Sequence, residues 1–236
     1  NFPIYHTNWL NRRKIIDMIQ LAADKYAKGI LLDLGCGAKQ YKQLFDGKVD
    51  EYFGLDLRLR GAHPGETEPD MLASALQPPL PSNTFDTVVS FQVLEHVPEP
   101  KVMFREISRL LKPDGHLILM APQMWHLHEA PNDYFRYTRY GLAHLAEQSG
   151  LNVITIQPIS GFWIRAGLVT SYRIHKILLG QKIRNLKAVQ IGIQATIVIS
   201  NLFFWSLDKI WSRPNDPINN LLVAKKCSSQ ANTNPK

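Results

Sequence analysis

One stretch constrains this chain more than any other: Leu31-Leu32-Asp33-Leu34-Gly35-Cys36-Gly37. A short apolar run closed by an acid and two glycines predicts a buried parallel strand that ends in a tight turn. Such a strand delivers Asp33 to its carboxyl edge, and the glycines let backbone approach a ligand there. Asp56 ends the next predicted strand (51–57), 21 residues after Gly35 and 19 after Gly37. At that spacing a carboxylate meets the ribose hydroxyls of an adenosine-type cofactor, and it would repel a 2′-phosphate. A dinucleotide fingerprint needs a third glycine at position 40, where this chain has Gln40. The pyrophosphate cradle is therefore incomplete. An acid just before the glycines is unwelcome beside a diphosphate, but it suits a cofactor bearing positive charge.

Helices and strands alternate around this stretch. Residues 6–28 carry an apolar stripe (Leu10, Ile15, Ile16, Ile19, Leu21, Ala22, Tyr26) that predicts a helix, stopped by Gly29. Residues 39–45 predict a short helix. Strands are predicted at 85–91, 116–121 and 151–158, and helices at 100–111 and 140–149, with Lys112-Pro113-Asp114-Gly115 as an exit turn. The alternation predicts an α/β fold, a Rossmann-like doubly wound, mostly parallel sheet. Residues 218–226 read as a last, antiparallel strand paired with 151–158, and a helical insertion precedes it. The expected organisation is a core over 1–158, an insertion over 159–216, the last core strand over 217–227 and a polar tail over 228–236.

With 45% hydrophobic and 20% charged residues, 236 residues bury a core without staples, which excludes disordered, collagen-like and disulfide-framework classes. Cys36 and Cys227 lie far apart and need no oxidising compartment. Residues 1–14 lack the charged-then-apolar order of a secretory leader, so a cytoplasmic location is expected. The charge is uneven. Residues 1–150 hold 16 Lys/Arg against 18 Asp/Glu, net −2, whereas 151–236 hold 11 against 2, net +9. A basic end points to an anionic partner (phospholipid head groups, a phosphorylated substrate or nucleic acid) or is simply a solvated face. Residues 188–207 contain no charge, and Lys182, Arg184 and Lys187 precede them. Gln190, Gln194, Ser200, Asn201 and Ser206 dilute the run. It reads as a packed helix, an interfacial helix on an anionic membrane surface, or a span.

Four ordered motifs carry a resemblance: LLDLGCG (31–37), YFGLDL (52–57), LPSNTFDTVVSFQVLEHV (80–97) and LLKPDGHLIL (110–119). Together they resemble the class I S-adenosylmethionine-dependent methyltransferases, specifically the broad type 11 group. The resemblance implies S-adenosylmethionine as cofactor, with Asp33, Gly35 and Gly37 beside its methionine part and Asp56 on its ribose. It implies Ser74 and Ala75 beside the adenine, and Phe91 and Gln92 closing over the methionine chain. Ser74 stands where the family has an acid, and Lys39 where it often has a small residue. Asp86 reads as structural. Glu95-His96 either faces the site or serves as a helix cap or core edge.

The loop after the fifth strand, PQMWHLHEAPNDYFRYT (122–138), leaves the same edge and is the expected acceptor pocket. His126, Tyr134, Arg136 and Tyr137 are its expected substrate-binding residues, and His128 or Asp133 its expected proton acceptor. Arg136 could instead pair with Glu129 or Asp133 and only shape the loop. His126, His128 and Glu129 could ligate a metal, but no further ligand set supports one, so no metal is expected. The same stretch is similar to an HE-x-P-x-DY-x-RYT signature in bacterial methyltransferases linked to cell-surface polysaccharide synthesis. The resulting expectation is O-methylation of a sugar or lipid-linked glycan intermediate at the inner face of a membrane. Alternatives are a small lipid or quinone precursor as acceptor, or a non-catalytic membrane-associated adaptor. Phe91-Gln92-Val93-Leu94 lacks the Asn/Asp-Pro-Pro-Tyr pattern of base amino-methylation, and nucleic acid is disfavoured as a partner.

Overall fold

A computed structural model describes residues 3–57, 67–179, 187–212 and 215–228. The strands are β1 (Ile30–Leu34), β2 (Glu51–Asp56), β3 (Met71–Leu72), β4 (Phe85–Phe91), β5 (Leu111–Pro122), β6 (Leu151–Ile159) and β7 (Asn219–Lys226). They form one sheet in the order β3-β2-β1-β4-β5-β7-β6. The pairs β1/β2, β1/β4, β2/β3 and β4/β5 are parallel, and the C-terminal strands are antiparallel, the mostly parallel sheet with an antiparallel last strand that the sequence predicts. β1 and β4 are buried along nearly their whole length because a central parallel strand is covered on both faces. Parallel pairing places the carboxyl ends of β1, β2, β4 and β5 at one edge. The order reverses between β1 and β4, where open α/β sheets form their crevice.

The helices are α1 (Trp9–Tyr26), α2 (Pro100–Leu110), α3 (Arg139–Glu147), α4 (Phe162–Leu179) and α5 (Lys187–Ile210). Proline starts α2, where its missing N–H costs nothing, and Met103, Phe104, Ile107 and Leu110 bury one stripe against the sheet core. Thr138 caps α3 by accepting the Gly141 N–H at 3.1 Å. By contacts the chain forms two compact units. One is Ile19–Gln157 with Asn220–Lys236; the other is Asn1–Met18 with Pro158–Asn219. The segment before residue 19 thus groups with the helical unit rather than with the core expected over 1–158, and residues 229–236 of the expected tail lie outside the described residues.

Three local expectations change. Residues 39–45 form only a 3-10 turn at Lys42–Leu44, because Lys39 is left-handed (φ 53°) and a regular helix cannot run through it. Lys112–Gly115 belongs to β5 as an irregular extension: Leu111 already pairs with Phe85, and the register shifts before Thr87 meets His116. β3, only two residues long, left no periodic signal.

Asp86 is structural, as expected. Its Oδ2 accepts the Ile30 N–H at 3.0 Å and the Lys112 ammonium at 2.7 Å, joining the start of β1 to β4 and β5. Partial burial opposes its charge, but Lys112 and the Ile30 N–H hold its carboxyl below the usual range. Asp86→Ala should therefore lower the unfolding free energy by about 1–2 kcal/mol at pH 7. The wild-type advantage should shrink as pH falls below about 4, where the carboxylate protonates. Urea unfolding at several pH values measures this; equal midpoints at pH 7 would refute it.

Candidate active site at the carboxyl edge of the sheet

The turn after β1 is built so that no side chain fits inside it. Gly35 has φ 83°, and a Cβ there would meet Val93 Cγ2 at 2.4 Å, so neither its conformation nor its surroundings admit another residue. Gly35 and Cys36 donate their N–H groups to the Leu55 carbonyl at 2.7 and 3.1 Å. The Gly37 N–H donates to Asp56 Oδ2 at 2.8 Å, so the acid ending β2 also fastens the glycine turn. Asp33 is buried and accepts a hydrogen bond from the Tyr52 hydroxyl. Burial, and then the charge of Asp56, raise the Asp33 carboxyl, while Tyr52 is held protonated as the donor. Burial likewise pushes the Cys36 thiol up to about 12, which makes it an inert wall rather than a nucleophile.

Lys39 leaves the turn underneath β2. Its ammonium reaches Asp70 Oδ1 at 2.7 Å, and Asp70 Oδ2 accepts the Gly54 N–H at 2.7 Å. A Cβ on Gly54 would strike Lys39 Cε at 2.6 Å, so this buried link needs the glycine. Lys39 therefore braces β2 against the segment leading to β3. Ser74 and Ala75 follow β3 directly. The Ser74 hydroxyl accepts the Leu76 N–H at 3.2 Å with a lone pair, which does not occupy its hydrogen. Ala75 packs against the core cluster. Phe91 is buried, its ring 5.2 Å from Tyr41 and 6.4 Å from Phe45, so it is a fixed wall. Gln92 leaves β4 in a left-handed conformation (φ 58°), a strained exit of the kind found at functional edges.

The acceptor loop is organised by one ion pair. Arg136 Nη1 and Nη2 donate to Asp133 Oδ1 and Oδ2 at 2.6 and 2.8 Å, a bidentate pair. The same guanidinium donates to the carbonyls of Trp125, His126 and Phe135. Arg136 thus gathers both limbs of the loop, the loop-shaping role rather than a substrate-binding one. The Arg136 guanidinium beside Asp133 holds that carboxyl well below the usual carboxylate range. A carboxylate this reluctant to take a proton is a poor general base, which corrects the expectation for Asp133. Its Oδ2 accepts the His128 backbone N–H at 2.9 Å and lies 3.3 Å from His128 Nδ1. Asp133 therefore holds the backbone of His128, the other expected acceptor, and places a carboxylate beside its ring, although Nδ1 makes no hydrogen bond among the described residues. Tyr137 is also corrected: it is buried, and its hydroxyl donates to the Leu94 carbonyl at 3.1 Å inside the core. Tyr134 is exposed and its hydroxyl donates to Asn132 Oδ1 at 3.2 Å, while exposed His126 stands 4.5 Å from Trp125.

Beneath this loop lies a group that sequence reasoning left undecided. Glu95 is fully buried, and among the described residues neither carboxylate oxygen has a hydrogen-bond partner. It caps no helix. Its carbonyl accepts the N–H groups of Tyr134 and Phe135, so the loop is seated on it. The His96 ring lies edge-on to the His128 ring at 4.8 Å, with Nδ1 2.6 Å from the Asn132 carbonyl and Nε2 3.9 Å from Glu95 Oε1. A nitrogen that close to a carbonyl carries the proton, which leaves Nε2 as the acceptor side. Ligand atoms of Glu95, His96 and His128 all lie within 4.8 Å of one another, a spacing that a single metal ion could bridge. This is a different trio from the His126, His128 and Glu129 considered on spacing. The only linear signal was an acid interrupting the apolar run after β4.

Burial pushes the Glu95 carboxyl up to about 7, against the pull of Arg136. A raised carboxyl opposes folding once ionised. Its penalty grows as pH rises from about 4.5, where the unfolded group ionises, to about 7, where the folded one does. Glu95→Gln should thus leave stability nearly unchanged at pH 4 and raise it by roughly 1–3 kcal/mol at pH 8. Thermal unfolding at the two pH values tests this, and equal shifts at both would contradict it.

Comparison with known proteins gives the family and the fold. A family model described as a methyltransferase domain matches residues 8–156, more than half of the chain. A ubiquinone biosynthesis O-methyltransferase from Pseudomonas entomophila is 29% identical over 125 residues, 49% of this chain and 51% of that protein. The chain thus spans about half the length of such relatives. Among solved structures, the [4+2]-cyclase SpnF superposes with a TM-score of 0.59 at 18% identity, covering 91% of this chain and 80% of that one. Phosphoethanolamine N-methyltransferase 2 from Haemonchus contortus, in complex with S-adenosyl-L-methionine, superposes with a TM-score of 0.58 at 16% identity, covering 95% and 57%. These likenesses show the fold; the glycine turn, Asp56 and the family match together show the rest, and the chain belongs to the S-adenosylmethionine-dependent methyltransferases of the class I fold.

Proposed function

We propose that this methyltransferase acts on oxygen, methylating a hydroxyl of a sugar or lipid-linked glycan intermediate. The observation that carries this reading is His128, its backbone held by an ion-paired Asp133 on the loop that leaves β5, beside Glu95, whose oxygens have no hydrogen-bond partner among the described residues. A hydroxyl acceptor must lose its proton as its oxygen becomes an ether, and this arrangement gives the proton a destination.

The residues present fit the cofactor. A turn that a Cβ would fill, next to a buried carboxyl at Asp33 and a second acid at Asp56, suits a donor with a positive sulfur, an ammonium group and a ribose diol. Asp33, Gly35 and Gly37 would hold the methionine part, Asp56 the ribose, Ser74 and Ala75 the adenine, with Phe91 and Gln92 as the wall. Bound there, S-adenosylmethionine supplies a methyl group on a positively charged sulfur, open to in-line displacement by the acceptor oxygen. The chain's own task is then alignment of the acceptor, which can supply most of the acceleration, and removal of one proton. His128 takes that proton; Asp133, beside the ring, stabilises the imidazolium. His126 and Tyr134 would contact the acceptor, and exposed Leu127, Tyr134 and Phe135 offer flat apolar faces for a sugar ring.

The same apolar faces, and the relatives named for ubiquinone biosynthesis, favour a phenolic quinone precursor as the second reading. A phenol ionises far more easily than a sugar hydroxyl and leans less on the base. A reducing, cytoplasmic setting is consistent with Cys36 and Cys227, both free thiols.

Calorimetric titration with S-adenosylmethionine comes first: binding is expected, and no heat at millimolar cofactor would favour the non-catalytic adaptor. Asp56→Ala should weaken that binding by about 1.5–3 kcal/mol if the carboxylate holds the ribose; unchanged affinity would remove Asp56 from that role. His128→Asn should lower methyl transfer to a glycan acceptor by about 10²–10⁴-fold with cofactor affinity unchanged. Full turnover on catechols together with none on glycans would replace the sugar reading by the quinone one.

A further inference from the structure

The helical unit presents polarity the wrong way round for a surface helix in water. α5 is the only helix among the described residues that is long and apolar enough to cross a membrane. Its buried positions are Ile193, Ile197, Asn201 and Asp208. Two of those four are polar, and they fasten the chain's own start: Asn201 Nδ2 donates to the carbonyls of Ile4 and His6 at 2.7 and 3.2 Å, and Asp208 lies 3.4 Å from the Lys14 ammonium. The opposite side is apolar and open. Ile191 is 65% exposed, Ile199 68%, Leu202 45%, Phe203 57% and Ile210 68%. At about 100° per residue these five fall within an arc of about 120°, centred opposite the buried positions. No charged residue interrupts that arc between Ile191 and Phe203.

α4 packs antiparallel against α5. Gly167 admits Phe204, since a Cβ there would meet its Cβ at 2.7 Å, and Ser171 Oγ pairs with Ser200 Oγ at 3.1 Å. The hairpin's charges are nearly all positive: Arg165, Arg173, Lys176, Lys187 and Lys209 against Asp208, which faces Lys14. Arg173 and Lys176 are exposed on α4 beside Val169 and Tyr172. At the end of α5 the Lys209 ammonium sits 4.1 Å from the Trp205 ring centroid, and Trp211 is 61% exposed. An apolar stripe bordered by cations and tryptophans is the composition that sits at the boundary between lipid head groups and acyl chains.

We infer that the exposed stripe of α5 docks on an anionic phospholipid bilayer, lying in its interface with Arg173, Lys176, Lys187 and Lys209 against the head groups. The helix, about 36 Å long, would suffice to span the hydrocarbon core. A span would strip Asn201 and Asp208 of the polar partners that the fold gives them, so α5 lies on the membrane rather than through it. This inference goes beyond the proposed reaction and stands whether the acceptor is glycan or quinone. It gives a lipid-borne acceptor a reason to be within reach.

The test uses the full chain with sucrose-loaded vesicles at low salt. Wild type should pellet with phosphatidylcholine vesicles containing a quarter phosphatidylglycerol, and at least tenfold less with phosphatidylcholine alone. Ile199→Gln with Phe203→Gln should lower partitioning at least tenfold while thermal unfolding and S-adenosylmethionine binding stay at wild-type values. Arg173→Glu with Lys176→Glu, which leaves the apolar stripe intact, should abolish the preference for the anionic lipid. Wild type remaining in the supernatant with anionic vesicles, or the glutamine variant pelleting like wild type, would overturn the inference. So would light scattering that shows a wild-type dimer, lost in the glutamine variant, with vesicle binding unaffected; the stripe would then be covered by a second copy of the chain. Intact S-adenosylmethionine binding in every variant keeps this outcome separate from the fate of the reaction proposed above.

Discussion

The chemistry this chain can perform rests on a turn with no interior. Where β1 meets β4, the Val93 side chain lies so close to Gly35 that a single added carbon would collide with it, and the N–H groups of Gly35 and Cys36 tie the bend to β2. That emptiness brings a carboxyl from β1 and another from β2 to the same crevice without their side chains filling it. Asp56 accepts from Gly37 and Asp33 from Tyr52, so each acid is both a feature of the site and a tie in the frame. Ser90 adds a buried hydrogen bond to the Leu34 carbonyl at 2.8 Å, holding the end of β1 against β4. Lys39 and Asp70 secure β2 from the other side. Rigidity at this edge comes from many short polar links rather than from one large contact.

On the acceptor side the dominant element is the Arg136–Asp133 pair. It ties both limbs of the loop together and keeps the Asp133 carboxylate engaged with Arg136. An ion-paired Asp133 stays ionised and holds His128. Buried Glu95, whose oxygens have no hydrogen-bond partner among the described residues, is the unstable member of the set: burial favours its neutral form, and ionisation there costs the fold energy. Retaining such a group where an apolar one would fit is the pattern expected of a site in which stability is given up for chemistry.

The helical unit shows the same logic on a larger scale. A helix normally hides its apolar stripe and shows its polar one. α5 departs from this: it buries Asn201 and Asp208 beside Ile193 and Ile197, because those polar groups hold residues 4–14, and a second apolar stripe is left facing out. The fold therefore creates an unsatisfied surface at the place where the positive charge is concentrated.

Much of this was legible in one dimension. Apolar runs closed by turn residues and 3.6-residue stripes are local, so β1, β2, β4, β6, β7 and the helices α1, α2 and α3 were placed within a few residues. The glycine turn and the spacing to Asp56 were equally local and pointed to an adenosine-type cofactor with positive charge; the resemblance carried by four motifs implied S-adenosylmethionine. Even the Arg136–Asp133 pair, three residues apart, stood among the readings. The two-residue β3 and the bulged start of β5 were not legible, because their pairing depends on neighbouring strands. Nor could spacing tell that Tyr137 turns inward to Leu94, that Lys39 reaches Asp70 thirty-one residues away, or that Glu95 has no hydrogen-bond partner among the described residues. The amino-acid order by itself determined the sheet, its carboxyl edge and the kind of donor that binds there, since each follows from residues close together in the chain. Tertiary structure alone decided which acid is paired and which is stranded, and which side of α5 is covered, because those outcomes depend on what distant segments bring alongside.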